Sequence, residues 1–151
     1  TKPVLKEFLD KENNNFECLD EPHTILKEKK KQVSGLIFAG YRNKAIRKAG
    51  VRPNTEHLSR VHKQPNRIYS TEGVHPALAS QESSGRFWIL HNNRVRKLTI
   101  EECYKIMGFP NEFKLINSKS ELYKQVGNSV AIPMIREVAK QIKVQLLKTK
   151  K

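Results

Sequence analysis

The chain has 151 residues, 37% of them hydrophobic, and carries 29 Lys and Arg against 15 Asp and Glu, a formal net charge of +14. That length suits one ordinary domain with a modest core, and the charge favours a polyanionic partner, nucleic acid before an anionic membrane surface. No apolar run approaches the ~20 residues of a membrane span, TKPVLKEFLDKE lacks a signal-peptide core, and Cys18 and Cys103 supply neither a disulfide framework nor zinc spacing, so a reducing intracellular setting is expected.

Residues 1–32 read as a polar lead-in segment. VLKEFLDKE predicts a short helix with Val4, Leu5, Phe8 and Leu9 on one side, broken by the Asn run at 13–15. ILKEKKKQ reads as a brief solvated helix or simply as a basic lead into the next part. Residues 33–97 read as a β-rich, loop-rich unit. GLIFAGY predicts a buried strand ending near Gly40, and RIYST a second strand. RFWIL, HNN and RVRKL predict a hairpin turning at Asn92-Asn93. Tyr41, Tyr69, Phe87 and Trp88 suit packing of the small β core better than stacking on bases.

Residues 98–151 change character. LTIEECYKIMGFP opens with Thr99 as helix N-cap and Glu102 three residues on, a capping box. Ile100, Cys103, Ile106 and Met107 share one face, and Gly108 then Pro110 stop the helix. SKSE at 118–121 repeats the capping pattern before a short helix expected to end at Gly127. A polar Gly127-Asn128-Ser129 turn follows, with Asn128 or Ser129 expected to cap a last helix from about Ala131 to Leu147. Pro133 is tolerated in its first turn.

Charge is concentrated within this frame. Residues 27–67 hold twelve Lys and Arg and only two acids, Glu28 and Glu56. GYRNKAIRKAG and RPNTEHLSRVHKQPNR mix cations with Asn, Gln, Ser, Thr and His, the side chains that clamp phosphates and read base edges. Arg42, Lys44, Arg47, Arg52, Arg60, Lys63 and Arg67 are therefore the phosphate or base candidates. His57 and His62 read as exposed loop histidines, and no histidine pair or Cys–His set has metal-ligand spacing, so no metal is expected. Cys18 and Cys103 each lie beside carboxylates, which disfavour a reactive thiolate, and read as structural or incidental.

Two blocks together resemble the C-terminal end of the DNA (cytosine-5) methyltransferase family. VRKLTIEECYKIMGFPNEF, residues 95–113, is similar to its ninth conserved motif. LYKQVGNSVAIPMIREVAKQI, residues 122–142, is similar to its tenth. TKPVLKEFLD resembles the segment after the eighth motif, so the resemblance spans essentially the whole chain. It implies that 33–97 is a target-recognition domain binding double-stranded DNA, with Ser80, Gln81 and Ser83 as candidate base readers. NRIYSTEGVHPALASQ resembles the segment leading into the base-reading loops, where Ala77-Leu78 replaces the usual Thr-apolar pair. Arg96 resembles the ninth motif's arginine, which organises the recognition domain without touching substrate.

The resemblance further implies that Asn128, Ser129 and Val130 contribute to an S-adenosylmethionine pocket shared with a catalytic part that carries the other motifs. The family's Pro-Cys nucleophile, Gly-rich cofactor turn and Glu-Asn-Val motif are all missing here. The expected fold is thus mixed α+β, a small recognition unit followed by a helical segment that docks on a missing nucleotide-fold catalytic domain through Ile135, Val138 and Ile142. The chain alone is expected to be inactive, a split subunit or a fragment of a restriction-modification type enzyme. A cytoplasmic, nucleoid-associated setting in a bacterium or archaeon follows. The alternative class, a non-enzymatic DNA- or RNA-binding module, accounts for the charge but not for the two motifs.

Overall fold

The computed structural model of the chain describes residues 3–11, 16–46, 54–80 and 86–148. Five strands, β1 (His23–Lys31), β2 (Ile37–Arg42), β3 (Arg67–Ser70), β4 (Trp88–His91) and β5 (Arg94–Arg96), lie side by side in chain order. Neighbours are antiparallel except β3 and β4, which run parallel. Three helices follow, α1 (Ile100–Ile106), α2 (Lys119–Asn128) and α3 (Ile132–Lys148). The architecture is mixed α+β, as the patterning predicts.

Local signals account for much of this. Asn92 and Asn93 have φ of 48° and 60°, the positive values a tight two-residue hairpin needs at both central positions. Thr99 Oγ1 accepts from the Glu102 N–H while a Glu102 carboxylate oxygen accepts from the Thr99 N–H, so the α1 capping box is closed. Ser118 and Glu121 close a second box on α2. The predicted N-terminal helix is a single 3-10 turn, Leu5–Phe8. It is held by Leu5 and Lys6 amides donating to the carbonyls of Gly73 and Thr71.

β1 departs from expectation. Its residues read as a solvated helix or a basic lead, yet they pair with β2 through His23–Arg42, Thr24–Tyr41 and Ile25–Gly40. Strand propensity is set by the neighbour more than by the sequence. Gly40 is what admits the neighbour, because a Cβ there would sit 2.2 Å from the Thr24 carbonyl oxygen.

Strand alternation divides the apolar residues between two clusters. Ile89 joins Leu5, Leu98, Ile100, Cys103, Tyr104, Leu122, Tyr123 and Val126 under α1 and α2. Ile68, Trp88 and Val95 form a smaller cluster with Leu19 and Leu90. Each fully buried Leu, Ile or Val contributes about 1.5–3 kcal/mol, so α1 and α2 are firmly bound to the sheet. α3 has no buried residue.

The centre of the helical side is polar. Arg96 pairs across the sheet with Ile89 and so shares its face. Its two terminal nitrogens donate to the two Glu102 carboxylate oxygens at 2.8 Å each. Both side chains are essentially buried, at 2% and 0% exposure. The Asp10 and Thr99 amides complete the carboxylate's shell, and Phe16 lies 3.9 Å below the guanidinium. Removing one partner would leave the other charge buried and unpaired. Arg96→Met is therefore expected to lower the unfolding free energy by about 3–5 kcal/mol, read from the denaturant midpoint. R96M/E102M together should cost less than the sum of the two single changes.

Candidate functional site

The basic candidates divide by environment. Arg42 and Lys44 both reach Glu21, at 2.8 and 2.9 Å, and the two cations hold its carboxyl below the usual range. The Arg42 guanidinium also lies 5.8 Å from the Trp88 ring centroid. Such partly exposed pairs are weak, so both cations remain exchangeable toward a phosphate. Arg60 and Lys63 are exposed and, among the described residues, have no ion-pair partner. Arg67 is half-buried and its Nε donates to the His62 carbonyl at 3.1 Å. Arg47, Arg52, Gln81 and Ser83 lie outside the described residues.

His62 is not the exposed loop histidine its polar neighbours suggest. It is 2% exposed, stacked on Tyr41 with ring centroids 4.1 Å apart, and its Nε2 lies 2.7 Å from the Glu56 carbonyl, to which it donates. Burial lowers its pKa, which keeps the ring neutral. The stack fastens residues 54–66, which carry Arg60 and Lys63, onto β2. Nothing in the apolar spacing marks it, because the partner ring comes from a strand 21 residues earlier in the chain.

Ser80 is half-buried, and its backbone crosses closely over α2. A Cβ at Gly127 would lie 2.5 Å from Ser80 N and Cα. A glycine inside a helix costs roughly 1 kcal/mol relative to alanine. Here it permits a backbone contact that alanine would block.

The polar turn that Gly127 opens is placed differently from expectation. α2 runs through Asn128, and Ser129 closes that helix rather than starting the next one. Its N–H and Oγ both donate to the Val126 carbonyl, at 3.3 and 2.7 Å. The hydroxyl finds the free carbonyl at a helix end, an alternative to capping that short polar side chains readily take. α3 is joined to α1 instead, by the Ile132 N–H donating to the Met107 carbonyl at 2.9 Å. At this joint Gly108 has φ of 82°, and a Cβ on it would meet the Pro133 ring at 2.6 Å.

The cofactor candidates differ in readiness. Asn128 and Val130 are exposed. Among the described residues neither the Asn128 side chain nor the Val130 N–H has a hydrogen-bond partner. They are thus free to meet a polar ligand, whereas the Ser129 hydroxyl already donates to the Val126 carbonyl and retains acceptor capacity only. Cys103 is buried, and burial pushes its thiol up to about 12, while Cys18 is exposed. Among the described residues no group of three or more His, Cys, Asp or Glu is placed to hold a metal, and no helix is long and apolar enough to cross a membrane.

The sequence reading missed two features of this surface. One is the anchoring role of His62. The other is the set of exposed lysines on β1, whose density was visible in the charge count but whose placement on the sheet edge was not.

Residues 2–144 match the family described as C-5 cytosine-specific DNA methylase. The chain is 40% identical over 96 residues to the type II methyltransferase M.HhaI of Haemophilus parahaemolyticus, covering 60% of this chain and 29% of that enzyme. It is 39% identical over 66 residues to M.MspI of Moraxella sp, covering 44% of this chain and 16% of the relative. It is 50% identical over 70 residues to the DNA (cytosine-5)-methyltransferase CMT1 of Oryza sativa subsp. japonica, covering 46% and 6%. The chain therefore spans less than a third of the length of each of these relatives.

Three histidines, His62, His75 and His91, set an acid limit on this surface, each lowered first by burial. His75 donates from Nδ1 to the Pro76 carbonyl, and burial lowers its pKa from 6.5 to about 4. His62 is shifted the same way. For a depressed pKa the stability is complete above the unfolded value and is lost as pH falls toward the folded one. The denaturant midpoint should therefore hold above pH 6.5 and fall between about 6.5 and 5, before most carboxylates titrate. His75→Asn, which keeps a donor near Pro76 but cannot titrate, should flatten that fall.

Proposed function

The chain belongs to the C-5 cytosine-specific DNA methylase family, and from that membership we propose that it is the DNA-recognition and cofactor-pocket-completing part of a cytosine-5 DNA methyltransferase of restriction-modification type. The observation that carries this reading is an imbalance of packing. The sheet, α1 and α2 share a closed core, yet α3 leaves Ile135, Val138 and Ile142 about half exposed, at 50%, 49% and 55%. An amphipathic helix with its apolar stripe uncovered lacks the burial that stabilises it. A nucleotide-fold catalytic part seated on that stripe would also bring its cofactor site toward the unengaged Asn128 and Val130.

In the proposed enzyme the sheet faces duplex DNA. Arg60, Lys63 and Arg67 hold phosphates or base edges, Arg42 and Lys44 join them by leaving Glu21, and Ser80 lies on the base-reading side. Arg47, Arg52, Gln81 and Ser83 are assigned to the same surface on sequence grounds. Arg96 organises the recognition unit from within. Asn128, Ser129 and Val130 border the S-adenosylmethionine pocket, and that cofactor supplies the methyl group. No metal is required.

The nucleophile comes from the catalytic part. Neither cysteine here serves, since Cys103 is buried with its thiol held protonated and Cys18 is flanked by Glu17. The target cytosine must leave the stack before its C6 can be attacked and its C5 methylated. Alone, the chain is inactive and acts where its DNA is, in the cytoplasm at the nucleoid.

The test is methyl transfer to defined duplexes by this chain mixed with a catalytic part carrying the remaining motifs. The chain alone should transfer nothing, and the mixture should methylate a specific cytosine. Asn128→Ala should raise the KM for S-adenosylmethionine about 5–10-fold, as expected for one lost hydrogen bond of about 1–1.4 kcal/mol, while DNA affinity is unchanged. A mixture that neither forms a complex on a sizing column nor methylates DNA would leave only a nucleic-acid-binding module.

A further inference from the structure

We propose that β1 is a phosphate-tracking arm of the DNA interface, in which Lys27, Lys29, Lys30 and Lys31 grip the duplex backbone without reading bases. The inference rests on the DNA-recognition reading above. It assigns a contact surface to a strand that the motif resemblance leaves without a role.

Three observations carry it. The first is free charge. Residues 27–31 hold four lysines and one acid, Glu28, all exposed. Lys30 is 3.8 Å from Glu28, a long and solvated pairing. Among the described residues the ammonium groups of Lys27, Lys29 and Lys31 have no hydrogen-bond or ion-pair partner. Lys29 acts at a distance on Glu72, a carboxylate already paired with Lys6. By contrast Arg42 and Lys44 share the Glu21 carboxylate, and Arg86 and Lys97 share that of Glu17. The strand therefore presents cations to solvent where much of the sheet does not.

The second is geometry. β1 is an edge strand of the sheet. Its pairing jumps from Ile25–Gly40 to Lys30–Phe38, so five steps along β1 face two along β2 and the intervening residues stand out from the ladder. Extended chain rises ~3.3 Å per residue, which bounds the span of Lys27 to Lys31 at roughly 13 Å, and the bulge shortens it while turning the side chains outward. Duplex DNA presents one phosphate per ~3.4 Å of axis on each strand, so that reach meets several phosphates. Edge lysines can also serve simply to prevent strand-to-strand association. Here the bulge already breaks the edge that such guarding protects.

The third is continuity. At the end of β1 the Gln32 side chain donates to Ser59 Oγ at 3.1 Å. Ser59 adjoins Arg60, and Lys63 follows on the segment held down by His62. The lysine strand and the Arg60–Lys63 segment are thus tied side by side, and a duplex engaging one meets the other.

The experiment is DNA binding by the full chain across about 50–300 mM salt, with cognate-type and unrelated duplexes. Each phosphate contact contributes about 0.9 to the slope of log K against log salt. Lys27→Gln, Lys29→Gln and Lys31→Gln combined should lower that slope by about two to three, equally for every duplex. The Lys-to-Arg triple should keep the wild-type slope. Thermal midpoints of both variants, equal to the parent's, exclude unfolding as the cause. An unchanged slope for the Gln triple overturns the proposal, and self-association of that variant would then assign the lysines to guarding the edge. If the parent chain binds no duplex at all, the recognition reading fails first and this inference with it.

Discussion

The bidentate bond between Arg96 and Glu102 decides how the two halves of the molecule sit together. Arg96 ends the sheet and Glu102 lies in the first turn of α1, so their two 2.8 Å contacts fix the angle at which the chain leaves one for the other. Glu102 also accepts from the amides of Asp10 and Thr99. One carboxylate therefore organises the N-terminal segment, the last strand and the first helix. A buried ion pair is not in general more stabilising than the apolar residues that would replace it. Its effect here is orientational, since four donors converge on two oxygens in one geometry only.

Backbone contacts extend that order outward. Gly127 lets the segment around Ser80 lie directly on α2, and Gly108 lets Pro133 lie directly on the end of α1. Arg86 adds a polar joint, donating to the Leu98 carbonyl and to Glu17 while its guanidinium sits 4.3 Å from the Tyr123 ring. The segment leading toward the base-reading candidates and the polar turn bordering the proposed cofactor pocket thereby meet at the C-terminal end of α2.

Much of this was legible in the residues, and what was not has a common cause. The hairpin, both capping boxes, the apolar face of α1 and the start of α3 each depend on neighbours within a few positions, and all were predicted. β1, His62 and the cap role of Ser129 depend on partners distant in sequence or on competition between two nearby acceptors. A run such as LKEKKK has no apolar period, so only β2 makes it a strand. His62 lies in a polar stretch, so only Tyr41 makes it a core residue. Of the candidate site, Asn128, Val130, Arg60 and Lys63 are exposed, as surface positions in polar or charged local sequence would be. The pairing of Arg42 and Lys44 with Glu21 could not be read from spacing.

Native-state hydrogen exchange tests most directly whether the Arg96–Glu102 bond makes one cooperative unit of sheet and helices. The amides of Asp10 and Thr99, both donated to Glu102, should exchange with the same opening free energy and denaturant dependence as Ile89 in β4 and Cys103 in α1. Exchange of the α1 and α2 amides at a lower free energy than β4 and β5, with little denaturant dependence, would show that the helices open independently of the sheet and would contradict that unity.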